Sequence, residues 1–241
     1  MSVFSRLAEI LVDGVSNAVA ATIERMRTVF EGDPETRARV AFSIAMIALS
    51  AKMAKADGVV TQDEVDAFQE IFDIPADERP RVARLYNLAK QDTAGFQAYA
   101  RQLAELCANA HDGSNAHGDI LDGLFHIAKA DGVLHDKELV FLRETAAIFG
   151  VDDHQFESIK ARHVDLGAKD PWRILGLDPQ TTFADARRQY LKLVRQNHPD
   201  QMIARGVPPE FVRIADERSA AINTAWETIE PSFNNPAKHA G

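Results

Sequence analysis

The C-terminal part of the chain is organised around the segment from Thr182 to Asp200, which reads TFADARRQYLKLVRQNHPD. Thr182 and Asp185 have the spacing of a capping box, so a helix is predicted to start here and to run to Asn197. One face of this helix is apolar at helical spacing: Ala186, Tyr190, Leu193 and Val194. The helix leads into a polar tripeptide, His198-Pro199-Asp200.

A second long helix is predicted from Pro209 to Ile229, beyond a Gly-Pro-Pro loop. It offers a matching apolar face: Phe211, Ala215, Ile222, Trp226 and Ile229. A short helix precedes both, because Asp170-Pro171 supplies an N-cap and a first-turn proline. These segments predict a small antiparallel helical hairpin with a polar loop at its tip. Such a tip suits docking to another protein and does not form an enclosed pocket.

The first helix of the hairpin also carries a basic stripe. Arg188, Lys192 and Arg195 follow one another at helical spacing, and Arg187 flanks them. A positive field of this kind steers association with an acidic partner surface. Pro199 stiffens the tip, which allows His198 and Asp200 to make directional hydrogen bonds to that partner.

The chain before the hairpin is also predicted to be helical, because no sustained alternation of apolar and polar residues appears. The predicted helices cover residues 3–30, 34–56, 80–91, 94–110, 115–130, 136–149 and 153–163. Thr61 to Glu64 has the pattern of another capping box, and Gly150 stands at a helix end. The predicted fold class is all-α. Its parts are an N-terminal amphipathic helix (1–32), a helical bundle domain (33–165), the hairpin module (168–231) and a flexible tail (232–241).

An internal repeat marks the bundle domain. The segment Ala54-Lys55-Ala56-Asp57-Gly58-Val59 recurs as Ala128-Lys129-Ala130-Asp131-Gly132-Val133, and Glu64 and Glu138 follow the two copies at equal distance. The repeat predicts a duplicated pair of helices, each pair joined by an Asp-Gly turn. The glycine provides the positive φ that such a turn needs.

The carboxylates of the two turns allow two interpretations. Four oxygen ligands suitable for calcium or magnesium would come from Asp57, Glu64, Asp131 and Glu138. Alternatively, the aspartates end helices and the glutamates stabilise the N-termini of the next ones. A further polar cluster fits no ligand spacing, so no transition-metal site is predicted from its members, His111, Asp112, His117 and Asp119.

Composition limits the classes of function. The net charge of −9 argues against general nucleic-acid binding. That charge is uneven, because Lys169 to Ile229 contains nine basic and eight acidic residues. Such asymmetry predicts separate modules with separate partners. The single cysteine, Cys107, excludes an intrachain disulfide and fits a reducing compartment.

The sequence does not predict an enzyme. It contains no nucleophile–base set, no phosphate-binding glycine loop and no closed metal motif. The segment from Ser2 to Ile23 lacks the pattern of a signal peptide, and the longest apolar run, from Val40 to Ala51, is too short to cross a bilayer. We expect a cytoplasmic protein that requires no cofactor, with peripheral attachment at the inner membrane as the alternative.

The hairpin module resembles a J-domain, the co-chaperone module of DnaJ-type proteins. The resemblance rests on Leu175-Gly176-Leu177, Tyr190, His198-Pro199-Asp200 and the pattern Ile222, Ala225, Trp226, Ile229. The duplicated acidic domain resembles the tellurite-resistance TerB family, and the order of the two parts resembles DjlA-type proteins. Two features depart from most J-domains: Pro171-Trp172 replaces a tyrosine pair, and Ser219 replaces a core phenylalanine.

The resemblance implies a co-chaperone that docks on a DnaK-type chaperone and stimulates ATP hydrolysis at the active site of that partner. The residues implied in docking are His198, Pro199, Asp200, Arg187, Arg188, Tyr190, Lys192 and Arg195. The TerB-like domain is then expected to select a client or a location, or to sense a metal. The alternative function is a metal-responsive module of the stress-resistance type, in which the J-domain serves as an adaptor.

Overall fold

The computed structural model describes residues 34–57, 79–80, 83, 86–87, 95–108, 113–163, 170–204, 207 and 212–233. The helices with defined bounds in these ranges are α1 (Pro34–Asp57), α2 (Phe96–Ala108), α3 (Gly113–Ala128), α4 (Asp136–Ile148), α5 (Asp153–His163), α6 (Pro171–Leu175), α7 (Phe183–Gln196), α8 (Pro199–Ala204) and α9 (Val212–Phe233). The described ranges contain no strand. The predicted all-α fold class is therefore confirmed.

Some sequence predictions lie outside the described residues. They are the helix at 3–30, the capping box from Thr61 to Glu64, and the packing of Phe211. Only scattered residues of the helix predicted at 80–91 are described, and these are helical, including Tyr86, which packs against the core. The exact limits of the two predicted domains stay predictions.

The first bundle is built around α1. The apolar residues of α1 are not confined to one face, as expected of a helix that is buried by its neighbours. Phe42, Met46, Leu49 and Met53 are fully buried, and α1 contacts α2, α3 and α4. The apolar run predicted to be a buried helix is thus a core helix, which the other helices of the bundle cover.

A second core lies between α6, α7 and α9. Its buried residues are Ile174, Leu175, Ala186, Ile222, Ala225, Trp226 and Ile229. The helix starts follow the predicted caps: Asp170 accepts the backbone N–H of Trp172 at 3.0 Å, and the Thr182 hydroxyl accepts that of Asp185 at 3.2 Å. α6 ends at Gly176, which has a φ of 61°. Local capping chemistry therefore fixes where these helices begin and end.

Two side chains of α7 correct the predicted apolar face. Val194 was expected in the core but is exposed, and the neighbouring Leu191 is exposed as well. Tyr190 and Leu193 are half-buried against the second core. Ala186 is the buried residue of this helix, and the ring of Tyr190 stacks on Trp226 of α9 with ring centroids 4.8 Å apart.

The tip of the hairpin is more ordered than the predicted loop. Pro199 starts the short helix α8, and the carbonyl of His198 accepts the N–H groups of Gln201 and Met202 at 2.9 and 3.1 Å. Proline suits a first helical position because its missing N–H has no partner there in any case. The tripeptide is thus the start of a helical turn.

The two parts of the chain pack against each other, which the uneven charge did not predict. Four residues from the tip and from the start of α9 belong to the same buried cluster as the core of the first bundle: Met202, Val207, Ile214 and Ala215. In addition, the Ser158 hydroxyl of α5 donates to the carbonyl of Ile174 in α6 at 2.9 Å. Apolar packing and hydrogen bonds therefore join the hairpin to the bundle.

The predicted tail also needs correction. α9 continues through Pro231 to Phe233. The ring of Phe233 packs against Trp172 and Phe183, with centroids 5.6 and 5.4 Å away. These contacts keep the helix intact beyond the residue at which the sequence predicted its end. Residues 234–241 lie outside the described ranges.

Candidate functional site

The tripeptide at the tip presents two polar side chains to solvent. The side chains of His198 and Asp200 are 58% and 84% exposed. The backbone N–H of Asp200 donates to Nδ1 of His198 at 3.2 Å. Because Nδ1 accepts this bond, the neutral ring carries its proton on Nε2. Nδ1 also lies 3.6 Å from the carboxylate of Asp200, so the imidazole and the carboxylate are exposed side by side on an ordered turn.

The exposed surface of α7 adjoins this tip. It is here named the α7 face and consists of Arg187, Arg188, Leu191, Lys192, Val194 and Arg195, all exposed. Arg188 pairs with Asp185 at 2.9 Å. For Arg187, Lys192 and Arg195, no ion pair with a carboxylate appears within the ranges that the structure describes. The face thus combines two exposed aliphatic side chains with largely uncompensated positive charge.

Tyr190 occupies a different position from the cations. Its ring lies parallel to that of Trp226, at an angle of 9°. Its hydroxyl donates to the side-chain oxygen of Asn223 in α9 at 3.1 Å. Tyr190 therefore ties α7 to α9 at the edge of the α7 face, and its predicted contact with a partner stays a prediction.

Behind the tip lies a buried set of charges that the sequence analysis did not identify. It is here named the ionic network and joins three helices: Asp119 and Asp122 of α3, Arg162 and His163 of α5, and Arg218 of α9. Arg218 donates to Asp119 at 2.6 Å and to Asp122 at 2.9 Å. Arg162 and His163 approach the other oxygen of Asp122 at 2.8 and 3.1 Å. The network therefore links the bundle to the hairpin.

The electrostatics of the network follow from burial and pairing. Burial alone would raise the pKa of Asp122, but Arg218, Arg162 and His163 hold it well below its usual value. Burial would likewise lower the pKa of Arg218, but Asp122 and Asp119 raise it above the usual value. Burial lowers the pKa of His163, so that this ring is neutral and donates through Nε2 to Asp122. Two arginines thus balance two aspartates that are almost fully buried.

Asn197 connects this network to the tip, since it directly precedes His198. Its side-chain oxygen accepts from Arg218 at 2.8 Å, and its side-chain N–H₂ donates to the carbonyl of Leu193 at 2.7 Å. Its backbone N–H also bonds Leu193 at 2.9 Å, and its carbonyl accepts the Ser219 hydroxyl at 3.4 Å. All four polar groups of the residue are therefore held.

A signal for the missed residues exists in the sequence. Arg218 stands between Ala215 and Ile222 at core spacing, where a charge demands a buried partner. Asp119 and Asp122 interrupt an apolar run in α3 in the same way. The pattern predicts buried charges, but it does not predict which aspartate pairs with which arginine.

The second Asp-Gly turn uses its carboxylates as backbone caps. Asp131 accepts the N–H of Val133 at 2.9 Å, and Glu138 accepts that of His135 at 2.9 Å. Gly132 between them has a φ of 86°, as predicted for such a turn. These bonds match the capping interpretation for this copy.

The metal interpretation concerns residues of which the structure describes only a part. There, no group of three or more His, Cys, Asp or Glu side chains lies close enough together to hold a metal ion. The side chain of Asp57 and the whole of Glu64 lie outside the described residues. Calcium binding by Asp57, Glu64, Asp131 and Glu138 therefore stays a prediction.

The other polar cluster separates in the structure. His117 directs its two ring nitrogens at the carbonyls of Phe149 and Ala104, at 3.0 and 3.2 Å, whereas Asp119 pairs with Arg218. His111 and Asp112 lie outside the described residues. His117 and Asp119 thus serve the packing of the bundle and its junction with the hairpin.

Comparison with known proteins finds similarity to the TerB family and to DjlA co-chaperones. The family model "Tellurite resistance protein TerB" matches residues 43–161. The chain is 26% identical over 220 residues to the co-chaperone protein DjlA of Photobacterium profundum, covering 78% of this chain and 76% of that protein. It is 25% identical over 197 residues to DjlA of Coxiella burnetii, covering 73% and 72%. It is 24% identical over 205 residues to DjlA of Escherichia coli K12, covering 74% of each.

The resemblance to DjlA-type proteins is therefore confirmed. No solved structure matches the chain significantly. Among the described helices, none combines the length and the apolar character needed to span a membrane.

Proposed function

We propose that this protein is a J-domain co-chaperone that docks on a DnaK-type chaperone and stimulates its ATP hydrolysis. The observation that carries the proposal is the exposed, ordered pair His198 and Asp200 beside the cationic α7 face. The similarity to DjlA co-chaperones over about three quarters of the chain supports the same conclusion.

The α7 face is suited to forming the first contact. Its cations Arg187, Lys192 and Arg195 attract an acidic surface and raise the rate of encounter. The exposed side chains of Leu191 and Val194 lie among these cations and add apolar area to be buried on docking. Charge therefore provides steering, and the aliphatic centre provides contact area.

The tip is suited to the second step. Nε2 of His198 donates and Asp200 accepts, and both groups are already oriented by the bond from the Asp200 N–H to Nδ1. A partner that binds these groups better in one conformation than in another shifts toward that conformation. In this proposal ATP is hydrolysed at the active site of the partner, and the present chain only shifts the conformational equilibrium of that partner.

The TerB-like domain, in this proposal, selects a client protein or a cellular location. We place the protein in the cytoplasm or at the inner face of the inner membrane, where ATP-loaded chaperone is present.

The test is His198→Gln in the full chain, assayed for stimulation of ATP turnover by a purified DnaK. The substitution removes the imidazole but leaves the fold intact, because the side chain is more than half exposed. Stimulation is expected to fall to the basal rate of DnaK. His154→Gln, at an exposed position of α5, is the matched control and is expected to behave as the unmodified chain does.

If the unmodified chain leaves DnaK at its basal rate, the proposed function is wrong. If His198→Gln stimulates as strongly as the unmodified chain, the role assigned to the tripeptide is wrong even though docking takes place.

A further inference from the structure

We infer that the TerB-like domain sets the geometry of the tip through the ionic network, and that Arg218 and Asn197 are positioning residues for the stimulation of the partner ATPase. This inference rests on the proposed function. It assigns to the buried charges a task beyond stability, namely to hold the residue that precedes His198.

The first support is the branched contact of Arg218. One nitrogen of its guanidinium, Nη1, lies 2.6 Å from Asp119 in the bundle and 2.8 Å from the side-chain oxygen of Asn197 in the hairpin. Nε of the same side chain bonds Asp122 at 2.9 Å. A planar guanidinium bonded at several edges has a fixed orientation. A side chain anchored by two aspartates of the bundle thus fixes a residue of the tip.

The second support is the position of Asn197 in the chain. It follows the last residue of α7 and precedes the tripeptide, so any rotation of its backbone moves His198 directly. Its two contacts with α9, from Arg218 and Ser219, restrain it from the side opposite Leu193. Ser219 stands where most J-domains have a core phenylalanine, and its hydroxyl makes one of these bonds. The departure from the family pattern therefore coincides with a restraint on the tip.

The third support is the apolar anchoring on the other side of the tripeptide. Met202 in α8 and Val207 are buried in the core of the bundle, and the N–H of Val207 bonds the carbonyl of Met202 at 3.0 Å. The tripeptide is thus held on both sides, by the network before it and by the bundle core after it. Within this restrained tip, the side chains of His198 and Asp200 are exposed.

The consequence for stimulation follows from how an ordered tip acts. The α7 face determines how tightly the chain docks, whereas the tip must adopt one geometry within the docked complex. A loosened tip spends less time in that geometry, which lowers the stimulated rate at saturation. A merely structural role would lower the folded fraction instead. That loss raises the half-saturating concentration but leaves the maximal rate unchanged.

The experiment is a titration of purified DnaK and ATP with the full chain carrying Asn197→Ala, under single-turnover conditions. The substitution removes the link to the tip but leaves Arg218 paired with both aspartates. The maximal stimulated rate is expected to fall roughly tenfold, as for the loss of a hydrogen bond to a charged group. Asn87→Ala is the matched control, because that asparagine is exposed and follows Tyr86, which packs against the core of the first bundle and not the hairpin. It is expected to retain the maximal rate.

The coupling through Arg218 is tested by adding Asp119→Asn. If Arg218 transmits the restraint, Asp119→Asn alone also lowers the maximal rate, and the double variant is no worse than the poorer single variant. Independent effects would multiply instead. Thermal melts of each variant report the folded fraction separately.

Two outcomes overturn the inference. The first is an unchanged maximal rate for Asn197→Ala, when His198→Gln is inactive and the unmodified chain is active. The proposed function then stands, but the positioning role of Asn197 is wrong. The second is multiplicative loss in the double variant, which removes Arg218 as the link. If the unmodified chain gives no stimulation, the proposed function fails and the inference fails with it.

Discussion

The hairpin carries two sets of arginines in opposite environments. Arg188 on the α7 face is 78% exposed and pairs with Asp185 at 2.9 Å. Arg218 on α9 is 4% exposed and pairs with Asp119 at 2.6 Å. The distances are similar, but the energies are not. An exposed pair contributes about 0–1 kcal/mol, whereas removal of one partner from a buried pair costs about 3–5 kcal/mol.

This contrast separates two uses of the same side chain. The exposed cations act on another molecule through their field, and the chain folds without them. The buried arginine acts on its own chain, because it bonds Asp119, Asp122 and Asn197 in the interior. Substitutions in the two sets should therefore change different quantities, and the following experiments compare them from the largest expected effect to the smallest.

The largest effect is expected for Asp122→Ala. This change removes the carboxylate that bonds Arg218, Arg162 and His163, and leaves two buried arginines with Asp119 alone. The free energy of unfolding should fall by about 3–5 kcal/mol, measured by urea denaturation. Asp153→Ala is the control, because its pair with Arg143 is exposed, and it should cost no more than about 0.5 kcal/mol. Equal losses in the two variants would contradict the distinction between buried and exposed pairs.

An intermediate effect is expected from acid. Burial lowers the pKa of His163 below 6.5, so the unfolded chain takes up a proton that the folded chain does not. The free energy of unfolding is therefore highest above about pH 6.5, where His163 is neutral in both states, and it declines as the pH falls below that value. The groups that face the ring are Asp122, Arg162 and Lys129, with the edge of His126 at 6.5 Å between ring centroids.

The measurement is the free energy of unfolding between pH 7.5 and 5 for the unmodified chain and for His163→Gln. Glutamine keeps a donor for Asp122 but does not titrate, so the decline should become shallower in this variant. His154→Gln, at an exposed position, should keep the original slope. Parallel slopes for the unmodified chain and His163→Gln would show that His163 is not responsible. The carboxyl of Asp122 does not contribute in this range, because its pKa lies well below the usual value.

The smallest effect on stability is expected for Lys192→Ala on the α7 face. Unfolding should change by less than about 0.5 kcal/mol. The half-saturating concentration for stimulation of DnaK should rise roughly two- to fivefold, and the difference should shrink as salt is added. A lower maximal rate with an unchanged half-saturating concentration would show that Lys192 acts as the tip does. That result would contradict the distinction between the exposed cations and the tip.

Local chemistry explains which elements could be predicted from the sequence. The start of α7 was predicted because Thr182 caps it within three residues of Asp185, and α5 was predicted with its observed bounds, Asp153–His163. The exposed tripeptide and cations were identified because their position depends on a single helix and the turn after it. Such features are encoded by neighbours in the chain, so a single sequence contains them.

The junction of the two parts depends instead on tertiary contacts. Arg218 and Asp122 are 96 residues apart in the chain, and no local rule states that they meet. The burial of Met202 could not be foreseen for the same reason, since the core that receives it belongs to the first bundle. The charge composition gave no sign of this packing, because it counts side chains without regard to which ones are paired and buried.

The pairing of Asp122 with Arg218 also has a consequence for replacing either residue or exchanging the hairpin. Replacement of Arg218 alone would leave Asp122 with Arg162 and His163, and replacement of Asp122 alone would leave Arg218 with Asp119. Exchange of the hairpin for one that lacks an arginine at this position would therefore remove one of the two arginines that pair with Asp122.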